Sequence, residues 1–260
     1  MKKKIKILFF DILTPDLKQR ELFNKEIYRG STYSEVTRKM AGLKPEEWVY
    51  CDATQGVFPD DITQFDGVII GGSTGDPVTG YEKPWIKRTY PYIRKIVKKG
   101  IPLLGICGGL QFTARAMGGE VILNPKGKEF GTIRVELSKE GKSDLLFKGF
   151  PKNVWLQSNH KCMAKELLPE WKLLGSSKFC EPQAIGIGDT VRLLQFHPEK
   201  KSAHLKHLVR MKKSAFFEDG FFKDEKAVKK FLASIKNTDP AGKKILRNFI
   251  DYFVIPNARV

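Results

Sequence analysis

A chain of 260 residues that is 41% hydrophobic can bury a core of its own, and no stretch approaches the roughly 20 apolar residues of a membrane helix. The net charge of +17 comes from 35 lysines and 11 arginines against 29 acidic residues, scattered in singles and short pairs with no arginine-aromatic stripe. That pattern reads as a solvated lysine-rich surface, which makes nucleic acid an improbable partner and leaves room for an anionic substrate. Four cysteines, Cys51, Cys107, Cys162 and Cys180, without a Cys-x-x-Cys pair argue against a disulfide framework and a zinc site, and fit reduced thiols in the cytoplasm.

The opening Met1-Lys2-Lys3-Lys4 is basic, but Lys6 and Asp11 interrupt the apolar run, so Ile5 to Phe10 reads as a first strand and not as a secretion signal. Thr14-Pro15-Asp16 then signals a helix running towards Tyr28. Trp48 to Cys51 and Val68 to Ile70 are further short apolar strands, the second followed by the loop Gly71-Gly72-Ser73-Thr74-Gly75-Asp76-Pro77. Lys83-Pro84-Trp85 starts a helix that carries Ile86, Tyr90, Ile93 and Val97 until Gly100, and Ile101 to Ile106 is a fourth strand. Strands alternating with helices predict an α/β fold with helices on both faces of a mostly parallel sheet. Beyond Gly119 the segments Val121–Leu123, Gly131–Leu137, Val154–Gln157, Trp171–Ser176, Ala184–Ile187 and Val191–Phe196 shorten and alternate, as antiparallel or edge strands added to that sheet would. A basic helical tail begins near Ser202. A turn-like, aromatic-rich stretch runs from Phe216 to Phe222, and Asp239-Pro240 opens a last helix over 240–254. One domain over 1–260 with a basic, aromatic-rich helical insertion at about 210–238 accounts for this pattern.

Gly105-Ile106-Cys107-Gly108-Gly109 ends the fourth strand in a cysteine on a tight turn into a helix, where the glycines leave room for a sharp reversal. Unpaired amides and the dipole at a helix start favour a thiolate. A buried core cysteine fits the same turn, so its partners decide. His197-Pro198-Glu199 stands just past the strand residues Leu193 to Phe196, and Pro198 turns the chain so that the Glu199 carboxylate can orient the imidazole. A cysteine nucleophile needs such a base.

These residues together resemble the class I glutamine amidotransferases, in particular stand-alone relatives of the glutaminase domain of GMP synthetase. The resemblance runs from about Asp66 to Glu199 and takes in Gly71-Gly72, Tyr81 with Pro84-Trp85-Ile86, Pro102 to Gln111, Gly118-Gly119, Asn124 to Gly131 and Gln195 to Glu199. It implies a three-layer, flavodoxin-like fold with an added antiparallel edge, and a Cys107, His197 and Glu199 triad that needs no metal or other cofactor. It further implies Gly108 with Gly72 or Ser73 as the oxyanion hole, and Gln111, Gly72, Ser158 and Asn159 as substrate contacts. Three places depart from the family pattern. Ser73 replaces a common proline, with Thr74 to Pro77 similar to the carbamoyl phosphate synthetase version. Gly108 replaces a bulkier residue, as in the cobyric acid synthase branch. Trp155 to His160 carries an inserted Asn159 and is followed by Lys161 and Cys162 where an acidic residue is usual. His160 reads there as a structural or coupling residue.

The implied activity is hydrolysis of the glutamine side-chain amide through a thioester, giving glutamate and ammonia. No Walker-type or Ser-Gly-Gly-x-Asp-Ser loop is present to activate an acceptor, so a separate synthetase would receive the ammonia. A γ-glutamyl peptidase or hydrolase using the same triad on larger γ-glutamyl compounds is the enzymatic alternative, and a catalytically silent scaffold of the same fold is the non-enzymatic one.

Overall fold

The computed structural model describes residues 5–258, so the lysine-rich opening at 1–4 lies outside it. The strands are β1 (Ile7–Asp11), β2 (Trp48–Asp52), β3 (Gly67–Ile70), β4 (Leu103–Ile106), β5 (Val121–Leu123) and β6 (Glu129–Leu137), followed by β7 (Asn153–His160), β8 (Cys162–Ala164), β9 (Trp171–Ser176), β10 (Ala184–Ile187) and β11 (Val191–Leu194). Nine of them form one sheet in the order β2-β1-β3-β4-β11-β10-β9-β6-β7. Neighbours are parallel from β2 to β11 and antiparallel from β11 to β7.

Successive side chains of a strand point to opposite faces, and β1 shows the consequence. Ile7 and Phe9 enter one apolar cluster with Tyr33, Val36, Leu205 and Phe249, while Leu8 and Phe10 enter another with Ile86, Ile93, Leu110 and Phe112. Burial on both faces explains why the parallel strands read as unbroken apolar runs. Helix, sheet and helix thus form three layers of a mixed α/β fold, with the flavodoxin-like order at its parallel half.

Several expectations need correction. β5 does not join the main sheet; it pairs with β8, a strand the sequence reading missed, in a separate two-stranded sheet. Nor is β11 an edge strand, because it lies parallel to β4 inside the sheet, with all four residues buried. The helix expected after Lys83 breaks into Pro84–Lys87 and Tyr90–Lys98, since Pro91 in the second piece has no N–H to continue the ladder. Phe216 and Phe217 lie in a helix, Lys213–Glu218, and only the following residues turn. A helix at Tyr33–Ala41 was also missed, although Thr32 and Glu35 form a capping box and Gly42 ends it at φ 70°.

Chain geometry fixes the location of the chemistry. β4 and β11 are parallel neighbours with Ile106 opposite Leu194, so the residues beyond both carboxyl ends meet at one edge of the sheet. Cys107 and His197 are those residues, and the Cys107 amide donates to the Leu194 carbonyl at 2.6 Å.

Candidate active site

Cys107 adopts φ 52° and ψ −100°, a conformation that non-glycine residues rarely take, between β4 and the helix Gly108–Ala116. The turn is closed so tightly that a Cβ on Gly108 would sit 2.6 Å from the Ser73 backbone nitrogen. Two departures from the family pattern therefore touch each other: the Ser73 loop occupies the space a larger residue 108 would fill.

The His197 amide donates to the Gln157 carbonyl at 2.8 Å, which anchors the imidazole to β7. His197 Nδ1 lies 2.7 Å from Glu199 Oε1, and both side chains are buried. Burial and the Lys200 ammonium push the imidazole pKa down, but the Glu199 carboxylate and the Cys107 sulfur outweigh them and raise it to about 9. Burial would raise the Glu199 carboxyl, yet the imidazolium holds it below the ordinary carboxylate range. His197 Nε2 is buried without a hydrogen-bond partner among the described residues. One nitrogen is thus oriented by a carboxylate while the other is free to carry a proton, the arrangement a nucleophile's base requires.

Sequence reasoning missed Tyr33. Its hydroxyl donates to Glu199 Oε1 at 2.9 Å and accepts the Gly72 amide at 2.7 Å. Burial and the nearby Glu199 push the phenol pKa well above its ordinary value, so it remains a donor. The ring stacks on Tyr28 at 5.6 Å and meets Phe9 edge-on at 5.6 Å, and these contacts fix the hydroxyl between Glu199 and the Gly71-Gly72-Ser73 loop. The Thr32-x-x-Glu35 cap signals the helix, but nothing local in the sequence marks the phenol as a partner of a residue so distant in the chain.

That bond bears on which amides of the Gly71-Gly72-Ser73 loop are available to a ligand. The Gly72 amide is committed to Tyr33, whereas the Ser73 amide makes no hydrogen bond among the described residues, and its nitrogen lies close against Gly108. Gly108 contributes a first-turn helix amide, which has no partner within its own helix. Gly72 instead gives close approach: a Cβ there would lie 3.1 Å from the His197 ring.

Cys107, His197, Glu199, Gly72, Ser73 and Gln111 line one cavity of about 540 Å³, with Asn159 and His160 on the facing wall. Gln111 is held in place, donating from Nε2 to the Cys162 carbonyl at 2.9 Å and to Gln195 Oε1 at 3.2 Å. Asn159 places its main-chain oxygen 3.9 Å from the Cys107 sulfur. Ser158 lies behind the wall and not on it, with its hydroxyl 3.3 Å from Glu129 Oε2, so its side chain does not reach a ligand in the cavity. His160 bridges Glu129 Oε2 at 2.9 Å and the Cys162 carbonyl at 3.0 Å. Burial raises the Glu129 carboxyl, but bonds from His160, Ser177 and Gln183 outweigh it and keep it below the usual range. Among the described residues no group of three or more His, Cys, Asp or Glu is placed to hold a metal, and no helix is long and apolar enough to cross a membrane.

Comparison with known proteins adds to this geometry. The family model for glutamine amidotransferase class-I matches residues 45–213. Gamma-glutamyl peptidase 4 of Arabidopsis thaliana is 31% identical over 203 residues, 76% of this chain and 77% of the relative. The glutamine-hydrolyzing GMP synthase subunit of Methanothermobacter thermautotrophicus is 34% identical over 143 residues, 54% of this chain and 69% of that protein. A glutamine amidotransferase structure from Thermotoga maritima superposes with a TM-score of 0.70 over 97% of this chain and 99% of that one, at 21% identity.

Proposed function

The chain belongs to the class I glutamine amidotransferase family, and from that premise we propose that it hydrolyses the γ-amide bond of glutamate derivatives through Cys107, His197 and Glu199. The observation that carries the reading is the meeting of a strained cysteine turn and an oriented imidazole at the ends of two parallel neighbours, with His197 Nε2 unpartnered among the described residues.

The Cys107 thiolate attacks the γ-carbonyl carbon, and its electron pair forms the C–S bond while the carbonyl oxygen becomes an oxyanion held by the Ser73 and Gly108 amides. Each such donor is worth about 3 kcal/mol to the transition state. His197 Nε2 gives its proton to the departing nitrogen as the C–N bond breaks, leaving a γ-glutamyl thioester. Water then attacks the thioester, losing a proton to His197 Nε2. The C–S bond breaks, the thiolate returns, and glutamate leaves. Glu199, backed by Tyr33, stabilises the imidazolium in both halves. Gln111 and Asn159 are the side chains we assign to substrate contact, with Gly72 keeping space beside the imidazole.

Size favours substrates larger than glutamine. A volume of about 540 Å³ lies in the range of sites for drug-sized ligands, far more than one amino acid fills. The chain's own Leu208, Lys212, Phe216 and Phe221 extend the wall beyond the reacting residues. These features favour a γ-glutamyl peptidase or hydrolase. A glutaminase supplying ammonia to a separate synthetase is the second reading, favoured by the similarity to the glutamine-hydrolyzing GMP synthase subunit. Four free thiols support a reducing, cytoplasmic setting for either. Kinetics with glutamine and with γ-glutamyl dipeptides separate them: higher kcat/KM on the dipeptides is the expected result, and a preference for glutamine reverses the order.

A further inference from the structure

We propose that Lys128 and Lys212, set over the phenylalanine wall of the cavity, form an anion subsite that takes a carboxylate carried by the amine half of a γ-glutamyl substrate. This rests on the γ-glutamyl hydrolase reading and specifies which compounds that site selects.

Four lysines line the cavity: Lys128, Lys161, Lys200 and Lys212. Lys161 is neutralised by Asp76 at 2.7 Å. The other three form no ion pair among the described residues, and of the remaining acidic groups on the wall Glu199 is committed to His197 and Tyr33, leaving Asp219 alone. Cations therefore outnumber free carboxylates.

Their positions differ. Lys200 directly follows Glu199 in the chain and lines the cavity with it, next to Cys107 and His197. Lys128 and Lys212 sit over Phe216, Phe221 and Phe23, on the helical side of the cavity, and neither makes a hydrogen bond or ion pair to Cys107, His197 or Glu199 among the described residues. Aromatic faces hold them there, with Asp219 the one carboxylate of the wall whose charge reaches Lys128. Lys128 Nζ lies 4.6 Å from the Phe216 ring centre and 5.8 Å from that of Phe221, and Lys212 Nζ lies 5.6 Å over Phe23. Burial, followed by the repulsion of Lys212, Lys161 and Lys200, lowers the Lys128 pKa despite Asp219. Ammonium groups gathered in a partly desolvated site are mutually destabilising, and a bound anion removes that cost.

An α-carboxylate on the glutamyl half would lie near the attacked carbon, within the sphere of Lys200. The Lys128 and Lys212 pair, over an apolar wall, matches a negative group on the far side of the scissile bond. Cleavage is unchanged by this: the γ-amide C–N bond breaks, and the departing amine takes the His197 proton and keeps its carboxylate.

The test compares γ-glutamylphenylalanine with γ-glutamylphenylalaninamide, which differ only in that carboxylate, using the full chain. The wild type is expected to favour the carboxylate by about tenfold in kcat/KM at low salt, falling as salt screens the lysines. Lys128→Met and, independently, Lys212→Met are expected to bring the ratio close to one. Equal rates in the wild type, or a ratio unchanged in both variants, overturns the subsite; the second result would mean that the lysines read the α-carboxylate or nothing. Failure of the underlying hydrolase reading looks different: glutamine alone is turned over, or no γ-glutamyl compound is.

Discussion

Replacing Tyr33 by phenylalanine removes one oxygen and keeps the ring that packs on Tyr28 and Phe9. Two buried groups lose their partner. The Glu199 carboxylate loses a donor at 2.9 Å, and the Gly72 amide loses its acceptor at 2.7 Å. A hydrogen bond to a charged group is worth about 1.5–3 kcal/mol and a neutral one about 0.5–1.5, so Tyr33→Phe is expected to cost about 2–4.5 kcal/mol. In a domain of this size that corresponds to roughly 4–18 °C in Tm. Under the proposed mechanism catalysis should suffer as well, because the released Gly72-Ser73 loop would carry one oxyanion donor and Glu199 would orient the base; a loss of about tenfold in kcat with little change in KM is expected. Thermal unfolding followed by circular dichroism and steady-state kinetics on the same preparation test both parts. Unchanged Tm with unchanged kcat would refute the bridge between loop and triad.

In the proposed mechanism His197 is protonated when it expels the leaving nitrogen, so kcat/KM is expected to fall as pH rises through about 9, the value to which its pKa is raised. Glu199→Gln removes a raising influence; the alkaline limb should move to lower pH, with activity down by about 10²–10⁴-fold. The same shift has a stability counterpart. A raised folded-state pKa contributes stability that is complete below the ordinary imidazole value and is lost as pH climbs through about 9, measurable as a decline in Tm over that window that Glu199→Gln flattens. Gly108→Ala puts a methyl 2.6 Å from the Ser73 nitrogen, so overpacking of about 1–3 kcal/mol and an activity loss exceeding that of a surface Gly→Ala control are expected by denaturation and kinetics. At Cys107 the usual order of Gly and Ala should invert: with φ at 52°, Cys107→Gly is expected to be more stable than Cys107→Ala by about 1 kcal/mol in urea unfolding, and an Ala variant of equal or greater stability would show that the turn is unstrained.

Much of the parallel half was legible because each of β1, β3 and β4 is an apolar run buried on both faces and bounded by a glycine or polar turn. Cys107 and His197 were legible for the same reason, since each closely follows such a run. What the chain order hides is pairing. β11 resembles its antiparallel neighbours in length and composition, and only the register with β4 sends it into the middle of the sheet beside the cysteine strand. The three residues of β8 are too few to show a period, so the partner of β5 was invisible. Tyr33 and the Lys128–Lys212 pair are products of long-range folding: the phenol meets Glu199 across 166 positions, and the lysines converge from a turn before β6 and a helix junction. Ser158, expected on the substrate side, turned out to serve Glu129 behind the wall, a choice made by the buried carboxylate and its need for donors.

Attack of the Cys107 sulfur on a γ-glutamyl carbonyl is the central claim, and an electrophilic glutamine analogue reads it directly. Incubation of the protein with a γ-halomethyl or diazo ketone analogue of glutamine, followed by peptide mass spectrometry, should yield one adduct, on Cys107, formed with loss of all turnover and suppressed by excess substrate. Labelling of Cys51, Cys162 or Cys180 in its place, or inactivation with Cys107 unmodified, would contradict the account.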